Sequence, residues 1–497
     1  MFKRLSKVNR FLVIITQIII FLFLVNFFLI QCPVVAYDCD DWLYISLPRI
    51  PIPLWGAWNP SKILPETLMP VAGWTAVHLI YPITGNYVHS ITIICAIIIS
   101  LCILFMCICV FYFFNKRLSI SVRASICLET LFLILCFAIF RNKPTSRYLF
   151  QARDLNCIFN YTIPGVLNMA VVLIMLSYNN FNTTFKKWNI GKKCCFISLI
   201  YFTVFSNLFQ SVIIAVYAFT NIVFDLASSQ NHMQNNHNKQ ISFSLKNHKI
   251  DISILILWII AAIFEKSGGR SGYIGNEFEL SLSFNMLKAM ISAVAKPFAI
   301  LMISAVMFML IRQIKNRVTK DVTDSEYIFI FNFSIFSLIL ITLYLLSLCS
   351  NVTYMSRIEG SWAIWIYFVF ITTLGIAQLI HAYPQVKIFL PLFVLITSLC
   401  TMYPDGKFMN STADNRDYKT CINIDNFMIN QFIKADKSGN TSAQIYIPDY
   451  TDTDFSPMLT DTLVQNMNGT LFRHGIIKHE IKVKTVIDGT LNDKLSQ

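Results

Sequence analysis

The chain has 497 residues, of which 55% are hydrophobic and 13% charged, with a formal charge of +13. A soluble chain of this length needs a much larger charged surface, so the composition excludes a soluble globular protein and points to a polytopic helical protein of the lipid bilayer. The tail from Asp405 onward holds slightly more acidic than basic residues, so the positive excess belongs to the membrane part, where it suits anionic head groups or lipid-linked phosphates.

The first predicted element is the apolar run Phe11–Ile30, which follows Lys3, Arg4, Lys7 and Arg10. It is longer than the apolar region of a cleaved leader, and Gln31-Cys32-Pro33 is a poor cleavage site. It reads as a retained first span with a cytoplasmic N-terminus.

Directly after it comes YDCDDWLYISLPRIPIPLWGAWNPSKILPE, Tyr37 to Glu66. Asp38, Asp40 and Asp41 stand together at the mouth of a span, where charge is costly and a cluster of it suggests function. Their repulsion raises at least one pKa unless a cation or hydrogen bonds compensate, which suits a general base acting on a hydroxyl. These three are the candidate catalytic residues; an acidic, solvated loop start is the bland alternative. Trp42, Tyr44, Trp55 and Trp58 offer flat faces for sugar rings, or equally an interfacial aromatic belt. Pro48, Pro51, Pro53, Pro60 and Pro65 stiffen the loop in extended form. Arg49 and Lys62 are candidates for clamping a donor phosphate.

Further spans are predicted near 88–114, 123–140, 160–179, 194–224, 284–311, 327–349, 362–381 and 387–404. Three basic clusters should be cytoplasmic: Lys116, Arg117 and Arg123; Lys186, Lys187, Lys192 and Lys193; and Arg312, Lys315, Arg317 and Lys320. Counting Asp251–Arg270 as a full span would place the last cluster outside. Its apolar core, Ile252–Phe264, is 13 residues long, a length typical of re-entrant or interfacial segments. Placed so on the outer face, it leaves nine spans, N-terminus in and C-terminus out, with outer loops 32–87, 141–159 and 225–283.

That layout puts Arg141, Lys143, Arg147 and Arg153 outside, against the positive-inside rule. Binding a lipid phosphate would explain this, as would a misplaced span; Arg147 and Arg153 join the donor-phosphate candidates. Glu265, the Gly268-Gly269 turn and Arg270 form a second charged loop, grouped with Glu66 as another wall of a site. The 14 cysteines show no metal-ligand spacing, and no Walker, dinucleotide or HExxH motif occurs. Residues 1–404 form the membrane region. Residues 405–497 read as a small α+β domain outside it, with a helical period in Ile422–Lys434 and strand patterns in Ser442–Asp449 and Glu480–Ile487.

The acidic pair followed by an aromatic, Asp40-Asp41-x-x-Tyr44, resembles the first outer loop of GT-C glycosyltransferases, multispan enzymes that take a sugar from a polyprenyl phosphate. The layout, with the local motifs "DDW", "WNPSKILPE" and "FEKSGGR", resembles the serotype-converting O-antigen glucosyltransferases of enterobacteria and their phages. The resemblance implies transfer of a glucosyl branch from undecaprenyl-phosphate glucose to O-antigen polysaccharide on the periplasmic side of a bacterial inner membrane. An acidic residue of this loop, Asp40 or Asp41, would act on the acceptor. The partners implied are the lipid-linked sugar, the polysaccharide and the bilayer, with no nucleic acid. A lipid phosphate is a good leaving group, so no metal is obligatory, although three carboxylates could hold Mg²⁺ or Mn²⁺. Two rival readings are an O-antigen polymerase and a lipid-linked sugar transporter or flippase; the second should carry polar or charged groups in mid-span.

Overall fold

A computed structural model describes residues 6–52, 60–141, 147–230, 247–267, 280–319, 324–350, 352–402, 408, 410–413, 416–449 and 460–495. Most of it is helical. Among the described residues, seven helices are long and apolar enough to cross a membrane: Lys7–Gln31, Tyr87–Arg117, Leu155–Leu176, Leu208–Ala227, Lys296–Lys315, Glu326–Cys349 and Ile358–Ala382. In a bilayer every backbone polar group needs an internal partner, and unbroken helices of this length supply it. The chain is thus a helical protein built around several membrane-crossing elements.

It divides into two compact units, one of residues 1–18, 103–150 and 164–407, the other of residues 19–102, 151–163 and 408–497. The core of the first is the helix Ile358–Ala382, buried over most of its length. Around it pack the helices Val122–Ala138, Leu208–Gln230, Lys296–Thr319 and Asp324–Cys349. Close approach is achieved in part by Gly165, where any Cβ would run into the Trp362 ring. Glycine there lets the Trp362 ring lie directly against the backbone of the helix Ile163–Leu176.

Two expected spans are interrupted. Residues 194–224 form two helices, Ile190–Val204 and Leu208–Gln230. The carbonyl of Thr203, freed at the break, accepts from Ser206 Oγ (2.6 Å) and from Asn168 Nδ2 (3.0 Å). Asn207 then accepts from the Phe209 N–H (3.0 Å) and starts the next helix, the usual role of Asn at such a position. Residues 284–311 likewise divide into Leu280–Ser292 and Lys296–Thr319. Pro297 sits in the first turn of the second helix, where its missing N–H costs nothing.

The segment expected to dip in and out of one face, 251–266, is a continuous helix, Lys249–Ser267, packed along Leu208–Gln230 and Ile190–Val204. A re-entrant path needs a break in mid-segment and this helix has none, which leaves the interfacial form of the expectation standing.

In the second unit the tail folds around a two-stranded parallel sheet. Strand β1 (Ser442–Ile447) pairs with β2 (Lys482–Ile487) in the register Ser442↔Lys482 to Ile447↔Ile487. Parallel strands need a crossover, and the helix Thr460–Arg473 lies in that connection. Helix Tyr418–Lys437 packs on β1 and on Thr460–Arg473. The tail belongs to the same compact unit as the 32–87 loop.

Candidate functional site

The acidic stretch begins where the first long helix ends at Gln31. The chain then runs buried and without regular secondary structure through Cys32–Tyr37. The tail pins this run: the Val35 N–H donates to Thr412 Oγ1 (3.0 Å), and the Thr412 N–H donates to the Pro33 carbonyl (3.1 Å). Arg416 lies over the Tyr37 ring at 5.5 Å.

Asp38 then caps a short helix, Cys39–Tyr44, accepting from the Asp40 N–H (3.1 Å). Asp41 completes a reciprocal capping box, a device that satisfies otherwise orphaned N–H groups at a helix start. Its Oδ2 accepts from the N–H groups of Tyr37 (3.0 Å) and Asp38 (3.1 Å). Its Oδ1 accepts from the Asn156 N–H at 2.6 Å. Asp154, two residues before Asn156, caps its own turn through the Cys157 N–H (2.5 Å). Burial pushes the Asp41 carboxyl well above the ordinary carboxylate range. Asp154 and Asp38 push the same way, against the N–H bonds from Tyr37 and Asn156. The same burial and acidic company raise the Cys39 thiol to about 12.

The three carboxylates therefore differ in role. Asp38 and Asp41 bind backbone and shape the loop, and Asp41 is buried. Asp40 alone is exposed. The arrangement can present one carboxylate to a ligand from a helix that its two neighbours hold still.

The helix is also braced from the tail. Asn466 Nδ2 donates to the Cys39 carbonyl (2.8 Å), and Thr470 Oγ1 donates to the Trp42 carbonyl. Thr470 Oγ1 also meets Ser46 Oγ (2.7 Å), which accepts from Arg473 Nε (2.8 Å). Gly73 leaves room for the Ile45 carbonyl, which a Cβ would strike.

Trp42 is fully buried, stacked on Tyr87 with centroids 6.1 Å apart and planes 12° apart. Both its position and its stacking make it part of the unit's core. The Tyr87 hydroxyl bonds His474 Nδ1 (2.6 Å). Burial, aided by Arg473 and His78, pulls His474 down to about 4. Asp425, also fully buried, is pushed well up by burial, with the Trp42 indole N–H opposing that shift. Tyr44 is half-buried at the helix end.

Arg49 is ion-paired with Glu66 through its Nε and Nη2, and the two backbones are joined by Arg49 N–H to Glu66 carbonyl (2.9 Å). A donor phosphate would have to compete with Glu66 for this guanidinium. Lys62 is largely buried and holds a left-handed backbone, φ 61°, which an L-residue adopts only when its surroundings impose it. Arg153 is exposed beside Asp154. Arg147 is exposed too, and Glu265 is half-buried near its helix end; both belong to the other unit. Trp55, Trp58 and Arg270 lie outside the described residues.

The structure thus gathers Asp38, Asp40, Asp41, Trp42, Tyr44, Arg49, Lys62, Glu66 and Arg153 into one unit. It adds Asp154, Asn156, Asn466, Thr470 and Arg473, which sequence reasoning missed. Only Asp154 carried a local signal, as an acidic residue starting a helical turn. Among the described residues no three His, Cys, Asp or Glu side chains are grouped to hold a metal ion. A scan of protein-family models and a search of curated proteins give no match to the chain.

Proposed function

We propose that the chain is an integral-membrane hexosyltransferase. It moves a sugar, glucose by resemblance, from an undecaprenyl-phosphate donor to O-antigen at the periplasmic face of a bacterial inner membrane. The N-terminus is cytoplasmic and the C-terminus periplasmic in this reading. The observation that carries it is the exposed Asp40 carboxylate on a short helix whose cap and tail contacts are fixed. Asp40 takes the proton from the acceptor hydroxyl, the oxygen bonds to the anomeric carbon, and the lipid phosphate leaves through an oxocarbenium-like state. Arg49, Lys62 and Arg153 are the candidate cations of the same unit that would meet the departing phosphate. The test uses purified protein in detergent, a labelled polyprenyl-phosphate sugar and the polysaccharide. Labelled polymer is expected from the native chain, and from Asp40→Asn at a rate lower by roughly 10²–10⁴.

One observation favours a second reading, a transporter of the lipid-linked sugar. Glu129 is fully buried within the helix Val122–Ala138, and both its oxygens accept from Gln17 Nε2 (2.9 and 3.1 Å). An ionisable group at such depth commonly marks a path for substrate or protons. Movement of labelled lipid-linked sugar across proteoliposomes without transfer to polymer would select this reading.

A further inference from the structure

The two interrupted spans and the continuous helix Lys249–Ser267 change the path of the chain through the membrane. Helix Leu208–Gln230 has partners at both ends that fix its direction. At its start, Phe209 packs on Tyr354 (5.5 Å) and Gln210 Nε2 donates to the Glu359 carbonyl (2.7 Å). Tyr354 and Glu359 lie in and just after the turn that joins helices Asp324–Cys349 and Ile358–Ala382. At its other end, Phe224 packs on Tyr327 (6.0 Å) and Phe331 (5.1 Å). Those residues open the helix Asp324–Cys349, next to Glu326, which pairs with Arg312 of the basic cluster (3.0 Å). That cluster is cytoplasmic by the positive-inside rule. Leu208–Gln230 therefore descends toward the cytoplasm. Ile190–Val204, whose first turn carries Lys192 and Lys193, rises from it. A single span over 194–224 would have run one way only.

A side-chain cluster then closes the cytoplasmic end. Asp251 Oδ2 accepts from Asn182 Nδ2 (3.2 Å) and Asn221 Nδ2 (3.0 Å) and pairs with His248 Nδ1 (2.7 Å). His248 Nε2 meets Asp225 Oδ2 (3.1 Å). Asn182 precedes the basic group Lys186, Lys187, Lys192 and Lys193 by only a few residues. The start of Lys249–Ser267 is thus tied to a cytoplasmic turn. The helix has 19 residues, so its far end lies about 27 Å away, near the thickness of a hydrocarbon core. Its exposed face is apolar: Ile256, Ile259 and Ile263 are each more than half exposed, as suits lipid contact.

We infer that Lys249–Ser267 crosses the membrane from cytoplasm to outside, with the Asp225–His248–Asp251 cluster as a cytoplasmic clasp. Among the described residues, the seven long apolar helices and four shorter ones read as crossings, Val122–Ala138, Ile190–Val204, Lys249–Ser267 and Leu390–Met402, then make eleven. The three basic clusters assigned to the cytoplasm stay there, the group Arg141–Arg153 stays outside, and the termini keep opposite sides, as they do with nine crossings, because both counts are odd.

The test uses the full chain with its exposed native cysteines replaced and one cysteine added at Lys249 or at Ser267. In intact spheroplasts a membrane-impermeant maleimide is expected to label Ser267→Cys at once and Lys249→Cys only after permeabilisation. Labelling of Lys249→Cys from outside, or protection of Ser267→Cys, overturns the inference. An independent readout is a protease site inserted between residues 235 and 240. It should be cut only from the cytoplasmic face, and cutting from outside overturns the inference equally.

Discussion

The backbone N–H of Asn156 donates to the carboxylate of Asp41 over 2.6 Å, joining residues 115 positions apart. This bond fastens the acidic helix to the turn that Asp154 caps. It turns one member of the acidic cluster from a candidate reagent into a fixture, and leaves its neighbour Asp40 facing solvent. The contrast between the two makes the first prediction.

Asp40→Asn should lower sugar transfer by roughly 10²–10⁴ while the protein purifies and melts like the native chain. Asp41→Ala should instead destabilise, on the order of 3 kcal/mol, because three buried N–H groups lose their acceptor. Thermal melting in detergent beside the transfer assay separates the two effects. An unstable Asp40→Asn or a stable, inactive Asp41→Ala would exchange the roles of the two residues.

Thr470→Val keeps the shape of the side chain but removes its bonds to Ser46 and to the Trp42 carbonyl. A loss of about 1–3 kcal/mol is expected, and Thr470→Ser should recover most of it. Differential scanning fluorimetry of the three proteins is sufficient. If Thr470→Val melts unchanged but loses only polymer transfer, the tail grips the acceptor instead of bracing the loop.

Gly165→Ala should be destabilised by about 1–3 kcal/mol or more, since its methyl group meets the Trp362 ring. Trp362→Leu in the same chain makes room and should restore part of the loss. Non-additive melting temperatures in this double-mutant cycle are the readout; simple additivity would mean that the two residues do not touch.

Hydrogen bonding to Asp251 raises the His248 pKa above its usual value, with Asp225 adding to the effect and burial opposing it. The folded state thus favours the charged ring. Its contribution is fully present below about pH 6.5, the unperturbed value, and is lost as pH rises through the raised one. Native protein should therefore lose melting temperature as pH rises above about 6.5 by more than His248→Asn does. Identical slopes for the two proteins would remove His248 from the clasp.

The long apolar helices were legible because a bilayer imposes length and hydrophobicity on each one separately. The breaks were harder to see. Phe205-Ser206-Asn207 contains neither Gly nor Pro, and the carbonyl freed at Thr203 is satisfied by Asn168 from another helix. Asn207 was the available clue, as a helix-starting residue inside an apolar run. The three aspartates were visible as a cluster, yet their division of labour depends on Asn156, Asn466 and Thr470, which no local pattern connects to them. Trp42 looked like a surface aromatic because its stacking partner, Tyr87, is far along the chain. Arg49 looked like an open cation because its pairing with Glu66 depends on how the intervening residues fold.

The second unit is assembled from residues 19–102, 151–163 and 408–497. Its parallel strand pair closes only when Lys482–Ile487 reaches Ser442–Ile447. During synthesis, the acidic helix emerges early and waits for partners, Asn466 and Thr470, made more than 400 residues later. Contacts this distant in sequence form slowly. A nascent chain can therefore have every membrane helix inserted and still leave Cys39–Tyr44 without its brace. A ribosome that stops before Ser442 would release a chain whose long apolar helices are all made and whose acidic helix still lacks its brace.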